Sequence, residues 1–413
     1  MRPVVRGESP GALRSLRELN RERVVHALRE LGVASRADVA RRTGLSPATV
    51  STIVTELRAA GNVVDHSGSD LNDRTTRGGR PPMLIALDRS AGLAVGIDFG
   101  KSHLAVAVSD LSHEVIAELR REMPAGFDAA SGLDDAAELV DEVLANAGAT
   151  RAQVIGAGLG LPGPIHSATG TVGSSAILPG WENMRVANEM GRRLDMPVYV
   201  DNDANLGALA ELHWGAGRGS SMLAYLKVAT GIGAGLVVGG HLFHGAGGTA
   251  GEIGHTMMDE DGPICRCGSR GCLEMVASAP AIVEMLRPSL GDDLTAESVL
   301  EHARDGDARS RRAIGDAGRH IGHALANLCN LFNPERIVVG GSLGSAGDVL
   351  LEPLREAVER RTIPSAAEDV DIVPGVLGDR AEMLGAVALV IYENERERAP
   401  GWPLHELRET VSR

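Results

Sequence analysis

Three of the four cysteines in this 413-residue chain crowd into Cys265-Arg266-Cys267-Gly268-Ser269-Arg270-Gly271-Cys272, and His255 stands ten residues ahead of the first. Three thiolates and one imidazole make a closed tetrahedral donor set, the form taken by structural zinc, and the glycines let the loop wrap an ion. A reduced or redox-active thiol cluster is the other reading, but no thioredoxin-like surroundings accompany it. Cys329 stands alone in an apolar helical stretch, so no disulfide framework is indicated.

Further residues with chemical capacity lie where strand-like apolar runs end in glycine turns. Leu93 to Ile97 leads into Asp98-Phe99-Gly100, Val154 to Leu161 into Pro162-Gly163-Pro164, Met222 to Val228 into Thr230-Gly231-Ile232-Gly233-Ala234-Gly235, and Ile337 to Val339 into Gly340-Gly341-Ser342. Repeated units of this kind predict an α/β architecture with ligands at strand ends. Any single turn is explained equally well by folding alone. In the Thr230 to Gly235 loop, backbone N–H groups and the Thr230 hydroxyl suit phosphate oxygens. Asp98 suits a water-bridged magnesium ion, or a turn cap.

The N-terminal segment reads differently. Leu16, Leu19, Val24, Val25, Leu28 and Leu31 recur at helical spacing before Gly32. Ser35 sits three residues before Asp38, a capping-box start for a helix from Arg36 to Thr43 that Gly44 ends. Ser46-Pro47 opens a third helix with Val50, Ile53 or Val54, and Leu57 inward. Its outer side offers Ser46, Pro47, Ala48, Thr49, Ser51 and Thr52, small enough to approach base edges, so a helix-turn-helix contacting double-stranded DNA is expected. Val63, Val64 and the run Met83 to Leu87 bracket a polar, glycine-rich stretch resembling a wing, where Arg74, Arg77 and Arg80 would reach phosphates or a narrow minor groove. Three short helices also serve as packing or dimerisation modules, which is the plainer alternative.

Charge divides the same way. Residues 1–90 carry 15 Arg against 10 Asp plus Glu, a net of +5, within a chain of net charge −14. The acidic remainder would repel nucleic acid, which leaves DNA contact to the basic head. No aromatic stacking platform for single strands is present. With 43% apolar residues and 52 glycines the composition is globular and long enough for several cores. The longest apolar runs, near Val95 and Ile232, are too short for a bilayer, and residues 1–30 lack a secretory pattern, so a cytoplasmic protein without membrane contact is expected.

Taken together, Gly251-Glu252-Ile253-Gly254-His255, the Cys265 to Glu274 stretch, Gly163-Pro164, Asn202-Asp203 and Gly340-Gly341 resemble, in order, the signature of the ROK family of repressors, open reading frames and kinases. The resemblance runs from about Leu93 to Tyr392, and the preceding helices are similar to those of the family's repressor branch. It implies a two-lobed, actin-like (ribonuclease H-like) sugar-kinase fold behind a winged helix-turn-helix. The expected boundaries are 1–88 for the head with its wing and linker, 89–398 for the sugar-kinase-like domain, and 399–413 for a tail.

The resemblance further implies a sugar site at Asn202, Asp203, Glu252, His255 and Glu274, with Asp203 in the position of the base in a kinase and His255 serving both metal and sugar. It implies an ATP and magnesium site at Asp98, Gly100, Thr230, Gly231, Gly233, Gly340 and Gly341. One departure is visible: family kinases carry a glycine pair and Thr after the first Asp, whereas this chain reads Asp98-Phe99-Gly100-Lys101-Ser102-His103. A side chain at 101 obstructs backbone approach to ATP or offers charge to its phosphates. The expectation is a repressor of carbohydrate-utilisation genes that responds to a sugar or sugar phosphate, a homodimer or homotetramer on an inverted repeat; the alternative is an ATP-dependent hexose or aminosugar kinase with a regulatory head.

Overall fold

The computed structural model describes residues 20–398 apart from 22, 29–30, 60–61, 67–82, 89–91, 101, 125–126, 167–169, 173–179 and 182–183, with side chains to 394. The start of the first helix, Arg74, Arg77, Arg80, Lys101 and the tail therefore lie outside the described residues. The described chain forms two compact units, one reaching to Leu93 and including Ser109–Ile116, the other comprising Ala94–Val108 and everything from Ala117.

In the first unit, helical residues 23–28 are followed by β1 (Val33–Ser35), the helices Arg36–Thr43 and Pro47–Ala59, β2 (Val63–His66) and β3 (Leu84–Leu87). Val24, Leu28, Val39, Val50, Ile53, Val54, Leu57, Val63 and Ile85 close one apolar core. The helix periodicity dictates this, since Val50, Ile53, Val54 and Leu57 share one face. Ser35 and Asp38 exchange hydrogen bonds as a capping box, and Gly44, at φ 70°, donates its N–H to Ala40. The sheet order is β1-β3-β2, with Val33 and Val64 both opposite Ala86 in antiparallel register. β1 was not foreseen: three residues are too few for an alternation to register, and only the distant β3 makes them a strand.

Two five-stranded sheets follow, within the second unit apart from Leu93, Ser109–Asp110 and Val115–Ile116. One contains β4 (Leu93–Phe99), β5 (His103–Asp110), β6 (Val115–Glu122), β7 (Val154–Leu161) and β8 (Val198–Asn202), ordered β6-β5-β4-β7-β8. The other contains β9 (Met222–Val228), β10 (Ile232–Val238), β11 (His241–Leu242), β12 (Arg336–Gly340) and β13 (Asp371–Pro374), ordered β11-β10-β9-β12-β13. Counted within its own sheet, each follows the order third, second, first, fourth, fifth, so the two lobes share a topology. β9 and β10 pair antiparallel, while β9 with β12 and β7 with β8 pair parallel.

Helix Ala381–Arg398 joins the lobes, packing on β7 and against helix Asp203–His213. Two glycines make that approach possible: a Cβ on Gly158 would lie 2.0 Å from the Ala386 carbonyl oxygen, and one on Gly385 would lie 1.9 Å from that of Leu206. Leu206, Leu209, Ala386, Ala388 and Leu389 seal the seam. Beneath the second sheet, helices Ala308–Phe332 and Asp348–Arg361 bury Ile314, Ile321, Leu325, Leu350 and Leu354. Among the described residues, no helix is long and apolar enough to cross a membrane.

Candidate functional site

At the end of β8 the chain turns directly into helix Asp203–His213. Asn202 caps it, its Oδ1 accepting from the Ala204 N–H at 2.8 Å, while its Nδ2 donates to the Gly163 carbonyl at 2.8 Å. The Pro162–Gly163 turn is thereby tied to the helix start. Asp203, the first helical residue, extends Oδ2 to within 3.0 Å of Lys227 Nζ.

Across the cleft, Gly251 and Gly254 lie against β10, where a Cβ on either would stand 1.8 Å and 2.1 Å from the carbonyl oxygens of Ala234 and Ile232. Gly251 also requires φ 91°. This apposition projects Glu252 and His255 toward the cleft. Burial raises the Glu252 carboxyl above the ordinary glutamate range, partly offset by His255, whose Nε2 is 3.7 Å from Oε2. The other ring nitrogen faces the thiols: Nδ1 is 3.6 Å from Cys265 Sγ, and Cys267 Sγ is 3.7 Å from Cys272 Sγ.

The ligand atoms of His255, Cys265, Cys267 and Cys272 all lie within 4.8 Å of one another. Donors held about 2.3 Å from one ion at tetrahedral corners stand roughly 3.8 Å apart. The cluster therefore fits a single metal ion. Burial, followed by the neighbouring thiols, pushes the Cys272 thiol up to about 12, a protonated state that a cation would reverse.

Two residues past the last cysteine, Glu274 opens a short helix and reaches back into the cleft, where Oε2 accepts from the Ile232 N–H at 3.1 Å and Oε1 pairs with Arg266 at 2.7 Å. Asn202, Asp203, Glu252, His255 and Glu274 thus line one cleft of about 680 Å³ counted out to solvent, together with Lys227, Arg266, Thr230, Gly231 and Gly233.

The nucleotide set is not gathered with them. Thr230, Gly231 and Gly233 line the cleft, but Asp98, Gly100, Gly340 and Gly341 do not. Asp98 Oδ2 is paired at 2.9 Å with His103 Nε2, and a Cβ on Gly100 would lie 2.0 Å from the His103 ring. Gly340 makes room for the Tyr225 ring and Gly341 for the Val228 backbone. The Thr230 to Gly235 segment, expected as an open cradle, is the β9–β10 hairpin turn and the start of β10. Its Ile232 and Ala234 N–H groups are given to Glu274 and Gly251.

Sequence reasoning missed Lys227, Arg266, His103 and Glu382, whose Oε1 lies 2.9 Å from Lys227 Nζ. Lys227 did leave a signal, as the lone charge in the apolar run Met222–Val228. In the head, Ser46, Pro47, Ala48 and Thr52 are exposed, whereas Thr49 and Ser51 are half-buried. Thr49 is drawn into the cap, its N–H donating to Ser46 Oγ at 3.1 Å and its hydroxyl 2.8 Å from that same oxygen.

Comparison with known proteins places these features in context. The sequence profile of the ROK family matches residues 94–393. A xylose repressor of Caldicellulosiruptor bescii is 32% identical over 389 residues, covering 91% of this chain and 96% of its own. A glucokinase of Halalkalibacterium halodurans is 34% identical over 322 residues, covering 74% of this chain and 97% of its own. A crystal structure of a ROK family transcriptional regulator, described as a homolog of the Escherichia coli Mlc protein, superposes with a TM-score of 0.73 at 26% identity, covering 92% of this chain and 96% of that one.

Proposed function

The chain belongs to the ROK family, and from that premise we propose that it is a sugar-responsive, DNA-binding transcriptional repressor with a structural zinc ion. The observation that carries this reading is coverage. The repressor relative aligns with 91% of the chain, whereas 97% of the glucokinase accounts for only 74%. What the kinase does not account for is of the size of a DNA-binding head.

In this reading, residues 1–88 form the winged helix-turn-helix and 89–398 the sugar-binding body. Helix Pro47–Ala59 enters the major groove with Ala48, Thr49, Ser51 and Thr52 toward base edges, and Ser46 and Pro47 at the phosphates, where the wing arginines Arg77 and Arg80 add charge. Two copies of the head occupy an inverted repeat, which makes the working form a homodimer or a dimer of dimers in the cytoplasm. The cleft holds a neutral sugar by Asn202, Asp203, Glu252, His255 and Glu274. His255, Cys265, Cys267 and Cys272 hold zinc, whose contribution is to fix the imidazole that faces the sugar. Sugar and operator are linked through a difference in sugar affinity between DNA-bound and free protein.

Fluorescence anisotropy of an inverted-repeat operator, titrated with zinc-loaded protein against a panel headed by D-xylose and D-glucose, tests this. Specific binding that one sugar shifts is the expected result. Equal sugar affinity with and without operator would remove the linkage, and absence of specific DNA binding would remove the repressor. A kinase reading is favoured by Asp203 in the cleft and by the glucokinase relative, and opposed by the pairing of Asp98 with His103. ATP turnover on the same sugars, abolished by Asp203→Asn, is the result that would reinstate it.

A further inference from the structure

A half-buried cation lines the cleft beside a group of carboxylates. Lys227 Nζ stands 3.0 Å from Asp203 Oδ2 and 2.9 Å from Glu382 Oε1, with 21% of its side chain exposed. Burial alone would disfavour the charged amine, but Asp203 and Glu382, with Asp98 behind them, more than reverse this and hold it well above the ordinary lysine range. Burial likewise raises the Glu382 carboxyl, and Lys227 opposes that rise.

The three carboxylates come from three elements: Asp98 from β4, Asp203 from the helix after β8, and Glu382 from the helix joining the lobes. Gathered without a cation, they would repel one another. Magnesium beside nucleotide phosphates requires carboxylate oxygens free to hold its water shell. Here Lys227 takes Asp203 and Glu382, and His103 takes Asp98. The residues present therefore do not fit a magnesium–nucleotide complex.

We propose that Lys227 is a resident cation in place of that complex: it fixes Asp203 as an acceptor for a sugar hydroxyl, so that the cleft binds a neutral sugar without nucleotide or divalent metal. An ammonium has three donors, of which two serve the carboxylates and one remains for the cleft. Lys227 is on this account a positioning residue, and its role rests on the reading that the cleft takes a sugar.

The test uses the zinc-loaded full chain. Manganese binding, followed by electron paramagnetic resonance without sugar, should be absent in the wild type and in Lys227→Arg. It should reach one ion per chain in Lys227→Met, where Asp203 and Glu382 face each other uncompensated. In calorimetry with D-xylose and D-glucose, wild-type affinity should be unchanged by Mg-ATP, and Lys227→Met should bind at least tenfold more weakly, with divalent metal restoring part of the loss. Manganese bound by the wild type, a tenfold gain with Mg-ATP, or wild-type affinity in Lys227→Met would each overturn the proposal. Should Lys227→Met fail to fold, the two wild-type measurements still decide. Should no sugar bind any form, the effector reading falls while the manganese result judges the lysine by itself.

Discussion

His255 and Glu252 meet across the edge of the cleft, Nε2 to Oε2 at 3.7 Å, while the opposite nitrogen of the same ring lies 3.6 Å from Cys265 Sγ. One imidazole thus belongs to two sites. A metal ion on Nδ1 leaves Nε2 carrying the proton, which makes it a donor toward the cleft and fixes the ring's orientation. The thiol cluster and the ligand cleft are therefore expected to fail together.

Removing the metal should cost ligand response before it costs the fold. The loop bearing Cys265, Cys267 and Cys272 also carries Arg266, and Glu274 follows it directly, so its loosening displaces two cleft residues that pair at 2.7 Å. Chelation, or Cys267→Ser, should lower zinc content measured by elemental analysis and weaken sugar binding by about ten- to a hundredfold. Circular dichroism should remain near that of the parent. Stoichiometric zinc with unchanged sugar affinity in Cys267→Ser would remove the assignment.

If helix Pro47–Ala59 enters the major groove, specific and non-specific DNA binding should separate along it. Thr52 is exposed and gives its hydroxyl proton to the Ala48 carbonyl at 3.1 Å, so what it offers outward is oxygen lone pairs. Thr52→Ala should reduce operator affinity by the worth of one base contact, about 1–3 kcal/mol, and leave random DNA unaffected. Arg77→Ala or Arg80→Ala should instead lower both and reduce the salt slope by about 1. Thr49→Ala confuses the two, because Thr49 belongs to the cap with Ser46. Equal losses on both DNAs for Thr52→Ala would contradict the groove placement.

What the sequence disclosed was local or periodic. The Ser35–Asp38 box, the inward face of Val50, Ile53, Val54 and Leu57, and the Cys265 to Cys272 cluster each lie within one or two turns of chain, where spacing alone fixes who meets whom. Asn202, Asp203, Glu252, His255 and Glu274 were legible only through a family pattern. The Lys227 pairings with Asp203 and Glu382 were not legible, because they join three elements distant in sequence. The same blindness applied to Thr230 to Gly235: a glycine-rich run looks alike whether its N–H groups await a phosphate or, as here for Ile232, already serve Glu274. Asp98 presented two roles in sequence, and the structure gives it a third partner, His103.

The seam between the lobes should tolerate no added atom. A Cβ on Gly385 would lie 1.9 Å from the Leu206 carbonyl oxygen, a backbone atom that cannot rotate aside. Gly385→Ala must push helix Ala381–Arg398 off helix Asp203–His213, at a cost of about 2 kcal/mol or more. Because the first residues of these helices hold Asp203 and Glu382, sugar affinity should fall with stability. A melting temperature within a degree of the parent would mean the helices sit farther apart than described.

Stability of the head should depend on acid through one carboxyl. Asp38 Oδ2 accepts from the Ser35 hydroxyl at 2.6 Å and from its N–H at 3.0 Å, and the Asp38 N–H returns to Ser35 Oγ at 3.2 Å. The Ser35 hydroxyl first, then its backbone, hold the Asp38 carboxyl below the ordinary aspartate range against a smaller opposing effect of burial. A carboxyl lowered on folding binds its proton more readily when the chain is unfolded. Its contribution is thus complete above the unfolded value near 4 and disappears as pH falls through the folded value. Ser35→Ala removes the box and should cost about 1 kcal/mol at neutral pH, roughly a fivefold faster amide exchange in residues 36–43. As pH falls below about 4 and through the folded value, the parent should lose the share of that advantage carried by the carboxylate and approach Ser35→Ala, once exchange is corrected for its own pH dependence. Protection that is equal in the two proteins at pH 7, or a difference that does not shrink at all as pH falls below about 4, would show that the Asp38 carboxylate does not govern the start of this helix.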